Sequence, residues 1–294
     1  MEIFGVPTQA LFGQLLIGLI NGSFYALLSL GLAVIFGLLN IINFTHGAQY
    51  MMGAFCAYLL MTKLGIGYWW ALAIAPVAIG ATGVIIERLM LKRLYELDHL
   101  YGLLLTFGLA LIIQGLFRNE FGSSGLPYAM PAELGGGRNL GFMFLPNYRA
   151  WVIVASLVVC LGTWFVIEKT KLGSYLRAAT ENPALVQAFG INVPRMITLT
   201  YGFGVGLAAL AGVMAAPIYQ VSPQMGADLI IVVFAVVVIG GMGSIMGSIV
   251  TGFGLGLIEG LTKVFYPEAS NTVIFIIMAI VLMFRPAGLF GTPK

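Results

Sequence analysis

The chain has 294 residues, of which 60% are hydrophobic and only 9% are charged, against roughly 25% charged residues in typical soluble domains. So few charges cannot cover the surface of a soluble globule of this size, and a net charge of +3 is too small to form a phosphate-binding face. The composition therefore excludes a cytosolic enzyme, a nucleic-acid-binding protein and a disordered chain, and it predicts a polytopic membrane protein.

Nine apolar stretches predict the helices of this protein. A helix needs about 20 apolar residues to cross a hydrocarbon core of about 30 Å, and three of the stretches (48–62, 227–239 and 272–284) are too short to span it upright alone. We therefore predict an all-α polytopic membrane bundle of about 8–10 transmembrane helices, some of them short or discontinuous, in a single domain over 1–294. The longer stretches are 10–39, 68–91, 100–117, 150–167, 196–218 and 245–262.

The first stretch is longer than the membrane core. At 1.5 Å per residue, its 30 residues would form a helix of about 45 Å. Asn21 and Ser23 interrupt the stretch, so we predict a tilt or a break near Asn21-Gly22. The two polar side chains are also candidates for lining a translocation path.

The densest uncharged polar cluster of the apolar region follows at 40–49 and reads NIINFTHGAQ. Amide, hydroxyl and imidazole groups need hydrogen-bond partners in lipid, and non-helical backbone is tolerated there only beside protein or a wet cavity. The cluster fits a substrate path or gate and, equally well, a satisfied loop between two helices. Its candidate path residues are Asn43, Thr45, His46 and Gly47.

The distribution of basic residues predicts the orientation of the chain in the membrane. With the N-terminus outside, the loops around 88–99 and 168–195 and the C-terminal tail face the cytoplasm and hold nine of the 14 basic residues. The glycine- and proline-rich loop at 118–149 then lies on the extracytoplasmic side.

The loop at 169–195 reads KTKLGSYLRAATENPALVQAFGINVPR and is too patterned for a simple connector. Asn182 is a favourable N-cap, Pro183 fits the first helical position, and Gly190 stands where a helix ends. These signals predict a helix of about two turns over 183–189. Its apolar face suits docking into a groove of another protein, and an amphipathic segment on the membrane surface is the equal alternative. That face is formed by Ala184, Leu185, Ala188 and Phe189.

Small residues recur every four positions near the end of the chain. Because positions four apart share one face of a helix, the pattern predicts a stripe that lets a neighbouring backbone approach closely. Ordinary helix packing is the favoured interpretation, and a tightly packed core around a translocation path is the functional alternative. The stripe consists of Gly240, Ser244, Ser248, Gly252, Gly256 and Gly260.

Glu259 is the one carboxylate that the sequence places well inside an apolar stretch. Lys263 follows four residues later, in the favourable order for an ion pair on one helix face. A structural ion pair is therefore favoured over a functional site. The scarcity of such carboxylates argues against ion-coupled transport, which usually places ionisable groups near mid-membrane.

The sequence contains no enzymatic constellation. Its two histidines form no catalytic or zinc-binding motif, and its two cysteines stand alone in apolar stretches. A GxxxxGK[ST] phosphate loop is also missing, so the chain does not bind ATP by that route. We predict no catalytic residue, cofactor or metal on this chain.

Three segments carry a resemblance to a known family. The stretch NGSFYALLSLGLAVIFGLLNIINFTHGAQYMMGAF at 21–55 resembles the opening of the permease subunits of high-affinity branched-chain amino acid ABC transporters, and in particular the shorter of the two permeases. The stretch LRAATENPALVQAFGINVPR at 176–195 is similar to the same family, as is the run from GGMGSIMGSIVTGFGLGLIEGL to FRPAGLFG. The resemblance covers nearly the whole chain.

This resemblance implies import of branched-chain or other hydrophobic amino acids across the bacterial inner membrane. The orientation predicted from the basic residues then makes the N-terminus periplasmic and the C-terminus cytoplasmic. A periplasmic binding protein would deliver the substrate, two permease subunits would form the path, and two ATP-binding subunits would bind ATP and magnesium. We expect the second permease to be a homologous but different chain. The polar cluster at 43–47 matches the family's signature near the path.

The resemblance also makes the loop at 173–190 the segment that couples the permease to its ATPase. ATP binding would close the two ATPase subunits, the short helix would move with them as a lever, and the stripe at 240–260 would transmit the motion. The coupling residues are Arg177, Glu181, Asn182, Pro183, Leu185, Phe189 and Gly190.

Two other classes of protein compete with this interpretation. A passive channel for a small neutral solute such as urea needs no docking helix, and an ion-coupled carrier depends on an ion gradient. Within the favoured class, relatives that import urea or short amides leave the substrate open.

Overall fold

The computed structural model describes residues 2–3, 5–39, 42–95, 97–141 and 143–291, and the regular structure in these ranges is almost entirely helical. Two short antiparallel hairpins pair β1 (Glu2–Ile3) with β2 (Val6–Pro7) and β3 (Gly137–Asn139) with β4 (Phe144–Pro146). The helices are α1 Thr8–Leu39, α2 Thr45–Leu64, α3 Tyr68–Leu89, α4 His99–Phe121, α5 Asn147–Lys169, α6 Lys171–Glu181, α7 Pro183–Ala188, α8 Val193–Ala215, α9 Met225–Gly240, α10 Ile245–Phe265 and α11 Val273–Phe284.

Six of the described helices are long and apolar enough to cross a membrane: α1, α3, α4, α5, α8 and α10. The apolar helices α9 and α11 are shorter, and α2 has 20 residues but begins with the polar Thr45, His46 and Gln49. Each of the nine predicted apolar stretches coincides with one helix. The predicted all-α polytopic membrane bundle with short helices is confirmed.

Helix α1 is continuous through Asn21 and Gly22, so of the predicted tilt or break the break is wrong, and the tilt stays a prediction. The Ser23 hydroxyl donates to the carbonyl oxygen of Leu19 at 2.9 Å, and the Asn21 amide donates to a carboxylate of α10. Because both polar side chains find partners within the helix or on a neighbouring helix, the backbone has no need to unwind there.

The chain divides into two compact units. The first consists of Met1–Ser29, Met130–Cys160 and Val232–Lys294, and the second of Leu30–Ala129 and Leu161–Ile231. Helices α1, α5 and α9 each contribute one part to each unit. The second unit contains the whole of α2, α3, α4, α6, α7 and α8.

In the first unit, α1 and α10 pack backbone against backbone. A Cβ atom on Gly252 would lie 2.6 Å from the Cα atom of Ala26, and one on Gly22 would lie 3.0 Å from the α10 backbone. One turn further along, Gly256 contacts Gly18. Small residues at these positions let the two helices approach more closely than ordinary side chains allow, which strengthens dispersion contacts between them.

The stripe predicted at 240–260 is divided between two helices and does not lie on one. Gly240 ends α9, and Ser244 is the N-cap of α10. Between them, Gly241 (φ 103°) and Gly243 (φ 87°) adopt left-handed conformations that an α-helix does not contain. The remaining members, which lie on α10 where it meets α1, are Ser248, Gly252, Gly256 and Gly260.

In the second unit, α8 packs closely against α2 and α3. Gly202 of α8 meets the backbone of Gly80 on α3, where a Cβ atom would lie 3.2 Å from the carbonyl oxygen. On its other side, Ala209 of α8 meets Gly53 of α2. This close packing makes α2, α3 and α8 the framework that positions the candidate site.

Candidate functional site

The predicted coupling segment folds into two short helices, α6 and α7, which meet at Asn182. The Asn182 side-chain oxygen accepts a hydrogen bond from the Leu185 N–H at 3.0 Å, and Pro183 occupies the first turn of α7. Gly190 adopts a left-handed φ of 83° just after the helix, a conformation that glycine adopts without steric cost. The predicted capped helix is therefore present, and it ends at Ala188, one residue early.

One apolar face of α7 and its C-terminal end is exposed. Within α7 only Val186 is buried, and it packs with Ala179 of α6 and Val193 of α8. The side chains on the other face are far more accessible: Leu185 is 54% exposed and Phe189 is 77% exposed. An exposed apolar pair held on a capped helix is a candidate interaction surface. Its docking role stays a prediction.

The charged members of the predicted coupling set lie on α6. Arg177 reaches back to the end of α5, where its Nη1 donates to the Ile167 carbonyl oxygen at 3.2 Å and lies 3.4 Å from the Glu168 carboxylate. Because both charged side chains are almost half exposed, their ion pair contributes at most about 1 kcal/mol. Glu181 is exposed and ends α6. Arg177 thus ties α6 to the end of α5.

A buried carboxylate that sequence reasoning missed lies near this segment. Glu87 of α3 is 1% exposed and accepts hydrogen bonds from the Thr198 hydroxyl of α8 at 2.7 Å and the Tyr95 hydroxyl at 2.6 Å. The prediction that Glu259 is the one carboxylate well inside an apolar stretch is therefore wrong, because Glu87 lies buried in the stretch 68–91. In the sequence Glu87 stands beside Arg88 near the end of the apolar stretch 68–91, and no local pattern marks it as buried.

Tyr95 stays a hydrogen-bond donor to Glu87 over the physiological pH range. Burial, the hydrogen bond to Glu87 and the nearby charge of that carboxylate together raise the pKa of Tyr95 above its ordinary value. The Glu87 carboxylate accordingly links α3, the α3–α4 connection and α8.

A cleft of about 570 Å³ lies between Glu87 and the coupling segment. Pro183 and Gln187 of α7 form one wall, and Lys92 and Arg93 of the α3–α4 connection form another. A displacement of α7 therefore changes the shape of a cleft that reaches the α3–α8 contact.

The polar cluster before α2 is fastened to α4 by backbone and side-chain hydrogen bonds. The Thr45 hydroxyl donates to the Thr106 carbonyl oxygen at 2.9 Å, and the Phe44 N–H donates to the Thr106 hydroxyl at 3.2 Å. The Thr106 hydroxyl in turn donates to the Ile42 carbonyl oxygen at 3.1 Å. One threonine of α4, which sequence reasoning did not single out, therefore holds the turn that leads into α2. Asn40 lies outside the described residues.

Asn43 and His46 are fully buried. The Asn43 amide donates to the Gln49 side-chain oxygen at 3.2 Å. The His46 ring packs on Gly31 of α1, where a Cβ atom would lie 3.0 Å from the ring. Within the described residues, the Asn43 Oδ1 and Gln49 Nε2 atoms are buried without a hydrogen-bond partner, so the cluster is only partly satisfied. A role of Asn43, Thr45 and His46 in the path stays a prediction.

Gly47 borders a cavity, as do Phe44 and Ala48 beside it. A cavity of about 280 Å³ lies between the start of α2, the middle of α4 and the start of α9. The backbones of Gly47 and Gly226 touch at its edge, because neither residue has a side chain. Apolar side chains line the cavity together with the amide of Gln114.

The two polar residues of the first stretch lie in the first unit. Asn21 and Tyr25 both donate to the buried Glu259 carboxylate, Asn21 at 3.2 Å and Tyr25 at 2.7 Å. Lys263 pairs with the same carboxylate at 2.5 Å, so the predicted ion pair is present. The sequence separates Asn21 from Glu259 by 238 residues, which is why their contact was not predicted.

Replacing Glu259 by leucine is expected to lower the free energy of unfolding by about 2 kcal/mol, because three donors lose a charged acceptor. The change corresponds to a fall of about 5 °C in the unfolding midpoint of the detergent-solubilised protein. Glu259→Gln is the matched control, since it keeps an acceptor for Tyr25, and we expect it to lose half as much or less. Equal midpoints for wild type and Glu259→Leu would contradict a stabilising network.

A bundle of membrane-length helices that presents a capped, exposed helix on a loop and borders a small apolar cavity has the architecture of a membrane permease. The family described as branched-chain amino acid transport system / permease component matches residues 14–282. The chain therefore belongs to this family and is a permease component, as its sequence motifs predicted. Its predicted role as a transport subunit, and not as an enzyme, is confirmed by this membership.

Individual relatives agree with this assignment. The chain is 30% identical to the high-affinity branched-chain amino acid transport system permease protein BraD of Pseudomonas aeruginosa and 29% identical to LivH of Escherichia coli K12, with 96% of both chains covered in each case. It is 28% identical to the permease protein LivM of Escherichia coli K12 over 90% of this chain and 67% of that protein. No solved structure matches the chain.

Proposed function

We propose that this chain forms half of the membrane path of an ATP-driven importer for branched-chain or other hydrophobic amino acids. The observation that carries the proposal is the exposed apolar pair Leu185 and Phe189 on the capped helix α7. A permease without its own phosphate-binding loop needs a partner that binds ATP and Mg²⁺, and this pair offers that partner an apolar docking face.

The second permease of the complex is a homologous, different chain. LivH and LivM of Escherichia coli K12 are both described as permease proteins of one high-affinity branched-chain amino acid transport system, and this chain is similar to both. Two ATP-binding subunits and a periplasmic substrate-binding protein complete the importer. The complex lies in the bacterial inner membrane, with the N-terminus periplasmic and α6, α7 and the C-terminus cytoplasmic.

In this proposal α7 passes its motion to α8 and through α8 to α3, because α7 contacts α8 and α8 contacts α3. Val186 of α7 packs on Val193 at the start of α8, and the Glu87–Thr198 hydrogen bond joins α8 to α3. When ATP binding closes the ATPase subunits, α7 moves with them and displaces the α3–α8 pair. The stripe on α10 packs against α1 in the first unit, so its direct role is to hold that pair together.

Co-purification in mild detergent tests this proposal. We expect the wild-type chain to bring down an ATP-binding subunit, and a Pro183→Ala/Gly190→Ala double variant to bring down at least fivefold less. The variant loses the fixed start of α7 and the left-handed residue after it, while its membrane helices are unchanged.

A wild-type chain that purifies alone, under conditions in which a control transporter stays assembled, would favour the passive channel. Uptake that collapses with the ion gradient at constant ATP would favour the ion-coupled carrier.

A further inference from the structure

We infer that the cavity between α2, α4 and α9 receives the aliphatic side chain of the amino acid in transit, and that Arg118 binds its carboxylate. The inference rests on the proposed importer function and adds a step to it: the permease itself selects among substrates by side-chain length. It assigns a position to the substrate within this chain.

The size and the lining of the cavity fit an aliphatic amino acid. Its volume of about 280 Å³ equals the share of about nine water molecules in the liquid and falls just below the range of about 300–1,000 Å³ for drug-sized ligands. Its walls are the side chains of Met51, Leu111 and Ile230, with Ala110 leaving room between them. An apolar wall of this kind favours a branched aliphatic group over a polar one.

The cavity lies at the depth where a transported solute is expected. Its α4 residues fall between 107 and 114, at the middle of the 23-residue helix His99–Phe121. Helix α9 begins beside it at Met225, after a non-helical connection from α8. Transporters place their substrates near mid-membrane, next to helices that begin or end inside the bundle.

Arg118 supplies a cation at one end of this cavity. It follows the cavity-lining Gln114 by four residues, so both lie on one face of α4, about 6 Å apart along the helix axis. Side chains on a helix lean towards its N-terminus, which for Arg118 is the direction of Gln114. Arg118 is exposed and does not itself line the cavity, but its guanidinium group meets Gln224, the sequence neighbour of the lining residue Pro223.

The present partner of Arg118 is a neutral group. With the Gln224 amide turned so that its oxygen faces the guanidinium, Nε of Arg118 lies 3.1 Å from that oxygen. No acidic side chain of the described ranges forms an ion pair with Arg118. A substrate carboxylate forms a shorter and stronger bond to arginine than a neutral amide does, so it displaces Gln224.

The surroundings of Arg118 and Gln224 are held in place. Leu126 and Val221 exchange two backbone hydrogen bonds, at 2.8 and 2.9 Å, which join the segment after α4 to the segment before α9. At the other end of the cavity, Gly47 and Gly226 touch. These contacts hold together the backbone segments that flank the cavity, which favours selection by side-chain length.

The test measures uptake of labelled leucine and labelled valine by the complete importer with its binding protein in proteoliposomes. Ala110→Leu fills the cavity, and one methylene in an apolar pocket changes discrimination by about tenfold. We therefore expect this variant to lower leucine uptake about tenfold more than valine uptake, and Ala110→Val to do the same to a smaller degree. Arg118→Gln should lower uptake of both amino acids at least tenfold, and Arg118→Lys should lower it less.

The control is Gly108→Leu, which adds a leucine side chain to α4 where no atom lies within 4 Å of the new Cβ. It should leave the leucine-to-valine ratio unchanged. ATP hydrolysis stimulated by the binding protein shows that each variant is assembled. If the importer with Ala110→Leu does not assemble, the leucine-to-valine uptake ratio of Ala110→Val tests the inference in its place.

Equal losses of leucine and valine uptake in the Ala110 variants would overturn the inference and indicate that the cavity holds lipid or acts only as a gate. Unchanged uptake in Arg118→Gln would overturn the role of the cation. Failure of the proposed function looks different, because wild-type importer would then accumulate neither amino acid.

Discussion

We expect amino acid uptake to fall at least tenfold when Phe189 is replaced by aspartate, while the fold of the permease is unchanged. Phe189 is 77% exposed, so the folded chain loses little packing energy. In a docking groove the same side chain is desolvated, and exchanging an aromatic anchor for a carboxylate costs about 2–4 kcal/mol of binding free energy, or roughly 30- to 1,000-fold. Labelled leucine uptake and recovery of the ATP-binding subunit measure the effect.

The matched control is Met130→Asp, an exposed apolar residue of the loop between α4 and α5. That loop lies on the predicted extracytoplasmic side, away from the ATPase, so uptake should stay within twofold of wild type. Normal uptake by a well-expressed Phe189→Asp variant would contradict the docking role of α7. A large fall in its unfolding midpoint would show that the side chain supports the fold.

Gly256→Val is expected to prevent accumulation of the folded permease, whereas Gly254→Val on the same helix is tolerated. A Cβ atom on Gly256 would overlap the backbone of Gly18 and Gly22, and backbone atoms cannot rotate away as a flexible side chain does. Overpacking at such a contact costs about 3 kcal/mol or more. At Gly254 no atom lies within 4 Å of the added Cβ atom.

Both substitutions exchange glycine for valine in α10, so their effects on helix propensity are equal and any difference comes from the contact with α1. The measurement is the yield of monodisperse protein after detergent extraction, followed by its unfolding midpoint. Similar yields for the two variants would contradict the close approach of α1 and α10.

Local signals in the sequence were sufficient for the helices and for the coupling segment. The Asn182 cap, the following proline and Gly190 act within a few residues, so their combination predicts α7 to within one residue. The ion pair of Glu259 with Lys263 is likewise local, because both side chains lie one turn apart on one helix.

Contacts between segments that lie far apart in the chain could not be predicted from the sequence. Nothing in the α4 pattern marks Thr106 as the group that holds the turn before α2. No local pattern marks Glu87 as buried: Thr198 donates to it from a helix 111 residues further along the chain, and Tyr95 donates to it from the connection after α3. Gly47, a path candidate from the sequence, borders the cavity between α2, α4 and α9, whereas Gln114, which also lines that cavity, carries no local signal.

The sequence by itself determined that this chain is a helical membrane protein with a capped short helix at α7, because composition, hydrophobic length and capping act over single segments. Its resemblance to a permease family indicated the class of protein. The tertiary structure decided that α1 stays unbroken, that the small-residue stripe is divided between α9 and α10, and which polar groups satisfy one another. In a membrane, helix partners are chosen by shape and by hydrogen bonds between buried groups, and these depend on helices far apart in the chain.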